Sequence, residues 1–363
     1  MIIGAPTETF DGEKRVALTP QSALALKKLG YDCVVQAGAG AGARFSDAAY
    51  VEAGVTVVPT AEDVWGRADI VAKVRPPEPA EVAMARSGQI LISFLYPAQN
   101  AGLLADLNAK GVTTLAMDMV PRISRAQKMD ALSSMANIAG YRAVIEAAEA
   151  YGRAMPMMMT AAGTVPAAKV FVMGVGVAGL QAIATARRLG AQVEGFDVRP
   201  ETREQIESLG GKFLDLGVSA AGEGGYARAL TDEERTLQQQ RLADHLKGID
   251  VVVCTAAVPG RPAPKIISAA MVAGMKPGSV IVDLAAETGG NCELTRPGET
   301  IDSGGVTVAG PLNLASMGAQ HASEMYARNV YNFTSLLLKD GALAFDWDDE
   351  LLAKTVWPER TPA

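Results

Sequence analysis

Short, nearly continuous apolar runs alternate with amphipathic stretches along the first third of the chain. The runs at 2–5, 32–36, 56–58, 70–74, 90–95 and 113–116 are strand-sized, which predicts strands. Between them, 21–29, 47–53 and 98–110 read as helices. Thr19 before Pro20 predicts an N-cap followed by proline at the first helical position, with Gly30 as the stop. The rhythm returns at 170–173, 192–196, 212–214, 250–254, 280–284 and 306–308, as runs expected of strands covered on both faces. The pattern predicts an α/β protein: two Rossmann-like, doubly wound parallel-sheet domains joined by long helices, with a cofactor cleft between them.

Other stretches break the alternation. Residues 124–152 read as one long bridging helix, with Ser124 and Gln127 in capping-box positions. Residues 217–247 are polar, open with Gly222, Gly224 and Gly225, and end in a charged helix over 232–247; they read as a long insertion of the kind that carries function. A final amphipathic helix over 316–339 is expected to pack on the first domain, and the tail from Thr355 is expected to fray. The expected organisation is a first domain of 1–123 plus 317–363, the bridging helix 124–152, and a second domain of 153–316 with a loop at about 217–230.

The sharpest local signal follows the strand at 170–173. Gly174-Val-Gly176-Val177-Ala178-Gly179 then opens a helix, giving strand, GxGxxG, helix. Gly174 permits the tight turn, Gly176 lets backbone approach a diphosphate, and Gly179 permits close helix–strand packing. Amides at the helix start, including those of Val177 and Ala178, face the diphosphate. Asp197, 18 residues past Gly179, ends the next strand. A carboxylate there accepts from a ribose 2′-OH and repels a 2′-phosphate, which predicts NAD(H). Val198 follows it, and Arg199 is a side chain that can instead accept a 2′-phosphate. Ala256, just past the strand at 250–254, completes the candidate nucleotide contacts.

On the predicted bridging helix, Gln127, Asp130, Ser133, Ser134 and Asn137 recur at spacings of three and four and share one face, with Arg122 just before. Short neutral polar groups suit a cleft that holds amides and hydroxyls. The alternative is a solvated face on which Gln127 only completes a cap.

Composition narrows the class. Over 363 residues the net charge is −7 with no basic run, which argues against nucleic acid or anionic lipid as a main partner. Three scattered cysteines form neither a disulfide framework nor a metal knuckle, so a reducing cytoplasm is the default and no metal site is expected. No signal peptide is read at the start. The uncharged run 170–186 is shorter than a membrane span and belongs to the fingerprint, so no direct membrane insertion is expected.

The chain has only two histidines, His245 in the charged helix and His321 at the start of the last one, neither beside a motif that could hold a substrate. Oxidising an alcohol or amine releases a proton and needs a base. Moving a hydride from one nicotinamide to another needs none, only proximity and orientation.

Taken together, these stretches resemble the soluble NAD(H)-binding alpha subunit of proton-translocating NAD(P) transhydrogenase, with alanine dehydrogenase as its relative. The shared stretches are 12–20, 121–134, 137–142, the fingerprint, 259–265, 282–286 and 289–293. The resemblance implies that Arg122, Gln127, Asp130 and Ser133 hold and orient the nicotinamide end of NADH. It also implies that a mobile loop containing Gly225 and Tyr226 closes over the nucleotide, and that Asp197 is the adenosine-ribose acid. It further implies a homodimer that docks an NADP(H)-binding beta subunit. Membrane-spanning subunits would couple hydride transfer to proton translocation, with this chain peripheral at the inner face of the membrane.

The relative's pattern places a catalytic histidine where this chain has Tyr96, a poor base with a reference pKa of about 10. Arg15 and Lys73 match residues that bind the keto acid in alanine dehydrogenase. In this chain they either keep that pocket or serve as structural ion pairs. An NAD-dependent alanine or amino-acid dehydrogenase and a non-catalytic NAD-sensing module stand as alternatives.

Overall fold

Thr19 caps its helix in both directions: its hydroxyl accepts from the Ser22 amide at 3.2 Å, the Ser22 hydroxyl accepts from the Thr19 amide at 2.9 Å, and Pro20 opens the helix Pro20–Lys28. Such local agreement recurs through the computed structural model, which describes residues 1–219, 230–257, 261–339 and 342–358. The chain divides into two compact units, Met1–Met135 with Ala315–Ala363, and Ala136–Leu314.

In the first unit, β1 (Ile2–Ala5), β2 (Asp32–Gln36), β3 (Thr56–Val58), β4 (Ile70–Ala72), β5 (Ile90–Ser93) and β6 (Thr113–Ala116) form a parallel sheet in the order β6-β5-β4-β1-β2-β3. The helix Ala319–Thr334 belongs to this unit and buries Tyr326, Val330 and Phe333. It is shorter than the predicted 316–339 because a 3₁₀ turn flanks each end, Leu314–Gly318 and Ser335–Leu337.

Two expectations are corrected here. The tail is bound beyond Thr355, which is itself fully buried. Strand Val356–Trp357 pairs antiparallel with β6, and the Thr114 hydroxyl donates to the Trp357 carbonyl at 3.2 Å. An open sheet edge offers unpaired amides and carbonyls, and these two residues cover it. Residues 124–152 are two elements, a 3₁₀ turn Ser124–Met129 and an α-helix Ala131–Ala150. Asp130, and not Ser124, caps the α-helix, accepting from the Ser133 amide at 2.9 Å and the Ser133 hydroxyl at 2.6 Å. The turn before it is held from afar: Asn329 and Asn332 donate to the Lys128 carbonyl at 2.9 and 3.1 Å, and Arg125 pairs with Asp349.

In the second unit an exposed antiparallel hairpin, β7 (Met158–Thr160) and β8 (Gly163–Val165), precedes the sheet. Its sheet comprises β9 (Lys169–Met173), β10 (Gln192–Phe196), β11 (Lys212–Phe213), β12 (Val251–Cys254), β13 (Val280–Asp283), β14 (Thr300–Ser303) and β15 (Val306–Ala309), in the order β11-β10-β9-β12-β13-β15-β14. Only β14, on the edge, is antiparallel. Successive residues of β12 enter opposite cores: Val251 and Val253 join one cluster, Val252 and Cys254 the other. Both faces are therefore covered, as the continuous apolar runs require.

The strand order places a topological switch point in each unit. Chain direction diverges between β9 and β12 in the second unit, and between β1 and β4 in the first. The crevice beyond the carboxyl ends of such a strand pair is where open parallel sheets bind ligands.

Candidate nucleotide-binding site

In the second unit the switch point carries the glycine fingerprint. Gly174 has φ +86°, and a Cβ on it would lie 2.7 Å from the Ala256 nitrogen and 2.8 Å from the Ala256 Cα. Both the turn and the approach of the loop after β12 thus require glycine. A Cβ on Gly179 would overlap the Gly174 carbonyl oxygen, and one on Gly140 the Ala178 carbonyl oxygen. Gly140 therefore lets the helix Ala131–Ala150 press on the fingerprint helix Val177–Arg188. Gly176 differs: nothing lies within 4 Å of where its Cβ would be. It is the N-cap of the fingerprint helix, with no side chain capping it. The amides of Val177, Ala178 and Gly179 in that first turn have no partner within the helix and are left for an anion.

The predicted residues Gly174, Gly176, Val177, Ala178, Gly179, Asp197, Val198, Arg199 and Ala256 come together around the ends of β9, β10 and β12. Asp197 accepts from the Val175 amide at 2.8 Å, so this carboxylate and the glycine turn are joined directly. Burial works to raise the Asp197 carboxyl, but hydrogen bonds from the Arg199 side chain and from the Val175 and Arg199 amides outweigh it and hold the carboxyl below its ordinary range. Gly225 and Tyr226 lie outside the described residues.

Asn291 braces the candidate site, and the glycine fingerprint does not single it out. It is fully buried. Its side-chain amide binds both backbone groups of Ala256, accepting from the nitrogen at 3.0 Å and donating to the oxygen at 2.7 Å, and it donates to the Pro264 carbonyl at 3.0 Å. Asp283, at the end of β13, holds Asn291 in turn, accepting from its amide at 2.7 Å. The Thr255 hydroxyl donates to the Gly174 carbonyl at 2.5 Å. Two glycines and an asparagine after a predicted strand signal a turn, but not which loop the asparagine ties down.

In the first unit, Arg122 and Gln127 are exposed, and Asp130 and Ser133 form the helix cap described above. The switch point there is occupied by ion pairs. Lys73 follows β4 and lies 3.2 Å from Glu8, beyond β1, and 2.8 Å from Glu81, all three side chains buried. Glu13 takes Arg15 at 2.6 Å and Arg75 at 3.1 Å. Burial would lower the Lys73 ammonium, but Glu8 and Glu81 overcome it and raise it above the ordinary lysine value; burial pushes the Glu8 carboxyl up. Arg15 and Lys73 are thus each ion-paired with neighbouring carboxylates. Tyr96 sits at φ +45°, a strained conformation for a bulky residue, where Asp118 accepts from the Leu95 and Tyr96 amides at 2.6 and 3.0 Å. His245 Nε2 lies 3.0 Å from a Glu194 carboxylate oxygen and its ring meets Phe171 in a T-shaped arrangement, and His321 is exposed. Among the described residues no group of three or more His, Cys, Asp or Glu is placed to hold a metal, and no helix is long and apolar enough to cross a membrane.

Strand order, glycine turn and terminal acid define a doubly wound α/β protein bearing a dinucleotide-binding fingerprint. The chain belongs to the alanine dehydrogenase/PNT family of oxidoreductases: residues 4–139 match its N-terminal domain and residues 143–360 its C-terminal domain. It is 54% identical to the NAD(P) transhydrogenase subunit alpha of Cereibacter sphaeroides, over 97% of this chain and 69% of that one. It is 46% identical to the first part of the NAD(P) transhydrogenase subunit alpha of Rhodospirillum rubrum, over 98% of this chain and 95% of that one. Alanine dehydrogenase of Mycolicibacterium smegmatis is 34% identical, over 82% of this chain and 76% of the relative. The solved transhydrogenase of Sinorhizobium meliloti superposes with a TM-score of 0.90 at 48% identity, covering 98% of both chains. The family recognised from the sequence, transhydrogenase alpha subunit with alanine dehydrogenase as a relative, is the one these likenesses support.

Proposed function

We propose that this chain is the NAD(H)-binding alpha subunit of a proton-translocating NAD(P) transhydrogenase. The adenosine and diphosphate of NADH rest on the fingerprint and Asp197, and Arg122, Gln127, Asp130 and Ser133 take the nicotinamide end. Hydride passes to NADP⁺ held on a beta subunit, and membrane-spanning subunits couple that transfer to proton movement, with this chain at the cytoplasmic face. NADH brings the hydride; the protein supplies position.

One observation carries the reading: the open backbone at Gly176, with the uncapped first-turn amides beyond it, in a chain matched over 98% of its length by a transhydrogenase subunit. The engagement of Lys73 and Arg15 by Glu8, Glu81 and Glu13 agrees with a site that performs no chemistry on a keto acid. Homodimerisation is supported by the hairpin β7–β8 and the residue before it, which expose Met157, Met158, Met159 and Val165.

The test is reconstitution with an NADP(H)-binding transhydrogenase subunit, following transfer from NADH to an NADP⁺ analogue. Exchange is expected, with no NADH oxidation by pyruvate and ammonium. Robust turnover with pyruvate and ammonium, or no exchange, overturns the proposal.

A further inference from the structure

The carboxylate expected to receive the ribose is already full. Asp197 Oδ1 accepts from the Arg199 backbone amide at 2.9 Å and from Arg199 Nε at 2.9 Å. Oδ2 accepts from the Val175 amide at 2.8 Å and from an Arg199 terminal nitrogen at 2.8 Å. A carboxylate offers about four acceptor sites, so a ribose hydroxyl must displace one of these donors. Two are main-chain amides fixed by the turn. The guanidinium is the donor that can leave by side-chain rotation, and its side chain is 19% exposed against 8% for that of Asp197, so it has solvent to move into.

The pair has a second consequence. An unpaired carboxylate repels a 2′-phosphate, but Asp197 and Arg199 together are neutral. Once displaced, the guanidinium stands two residues from the ribose acid as a planar, permanently charged fork of the kind that binds phosphate. We propose, resting on the NAD(H) reading above, that Arg199 is a specificity-determining residue: it competes with the adenosine ribose for Asp197 and so limits how sharply the site separates NAD(H) from NADP(H). The guanidinium also donates to the Val175 carbonyl at 3.1 Å, so it helps hold the glycine turn, and a test must separate that structural part from selectivity.

The ratio of two affinities does so. NADH and NADPH are titrated separately, by their own fluorescence, into wild type, Arg199→Met and Asp197→Asn, with thermal unfolding to verify folding. In Arg199→Met, NADH is expected to bind more tightly and NADPH more weakly. The NADPH-to-NADH Kd ratio should rise about tenfold, the size of one charge-assisted hydrogen bond. In Asp197→Asn the ratio is expected to fall. If Arg199→Met weakens both nucleotides by one factor, or lowers the ratio, Arg199 only braces the turn and the inference is wrong. Arg199→Gln serves the same purpose if the methionine variant does not fold. Wild type that binds neither nucleotide overturns the NAD(H) reading itself; wild type that binds NADH, beside an Arg199→Met ratio that does not move, overturns this inference alone.

Discussion

Gly174 and Gly176 are two residues apart, yet an added methyl group should have opposite consequences at the two sites. In Gly174→Ala the residue keeps φ +86°, which costs about 1–2 kcal/mol for an L side chain. The methyl group also meets the Ala256 backbone at 2.7–2.8 Å, and backbone cannot rotate away. Overpacking of that kind costs about 1–3 kcal/mol. The sum is a loss of about 2–5 kcal/mol, and each kcal/mol lowers Tm by about 2–4 °C in a unit of this size. Gly176 sits at φ −86° with open space around it. Gly176→Ala therefore costs only a weaker N-cap, under about 1 kcal/mol. What the methyl group obstructs is the diphosphate, at about 1–3 kcal/mol of overpacking against the ligand, which is about tenfold or more in Kd. Calorimetric unfolding and NADH fluorescence titration of both variants make the comparison. Gly174→Ala should unfold early, and Gly176→Ala should unfold normally and bind poorly. Normal NADH affinity in Gly176→Ala would refute the placement of the diphosphate.

Three other outcomes are expected. Asn291→Ala removes the side-chain partner of the half-buried Ala256 amide and carbonyl; at about 1 kcal/mol for each lost hydrogen bond it should both destabilise the second unit and weaken NADH binding, and unchanged denaturation and titration curves would remove Asn291 from the site. Lys73→Met strands Glu8 and Glu81 without their buried cation, a loss of about 3–5 kcal/mol; addition of Glu8→Gln and Glu81→Gln should restore much of it, and a single-variant loss below about 1 kcal/mol in denaturant titration counts against that pairing. The folded-state pKa of Asp197 is lowered, so its stabilisation is complete above the unfolded carboxyl value of about 3.9 and is lost as pH falls through the folded value. Asp197→Asn should therefore flatten the acid limb of stability against pH, and an acid limb identical to wild type contradicts the shift.

How much of this was legible follows the range of the forces involved. The runs at 2–5, 32–36, 56–58, 113–116 and 192–196 match their strands residue for residue, because short apolar stretches between turn residues are a local signal. The fingerprint was legible for the same reason, since turn, helix start and acid all lie within one βαβ unit. The break at Asp130 was not: Asn329, Asn332 and Asp349, about 200 residues on, hold the 3₁₀ turn, and no local pattern carries that. The two-residue strand at Val356–Trp357 has no periodicity of its own and forms because the β6 edge is open to it. The edge strand Thr300–Ser303 was missed because its polar, half-exposed residues lack an apolar run. Asn291 and the Lys73 ion pairs depend on loops from different crossovers meeting at a switch point, which becomes visible only once the strand order is known.

The Val356–Trp357 strand also bears on biosynthesis. Its hydrogen-bonded neighbour Thr114 lies 243 residues earlier, whereas the second unit is one uninterrupted stretch, Ala136–Leu314. As the nascent chain leaves the ribosome, the inner unit has all its residues available first, while the outer one waits with the flank of β6 bare and the seats of Tyr326 and Phe333 empty. Ribosomes that stall before residue 319 would release a polypeptide with one finished half and one sticky half, a natural client for chaperones and proteases.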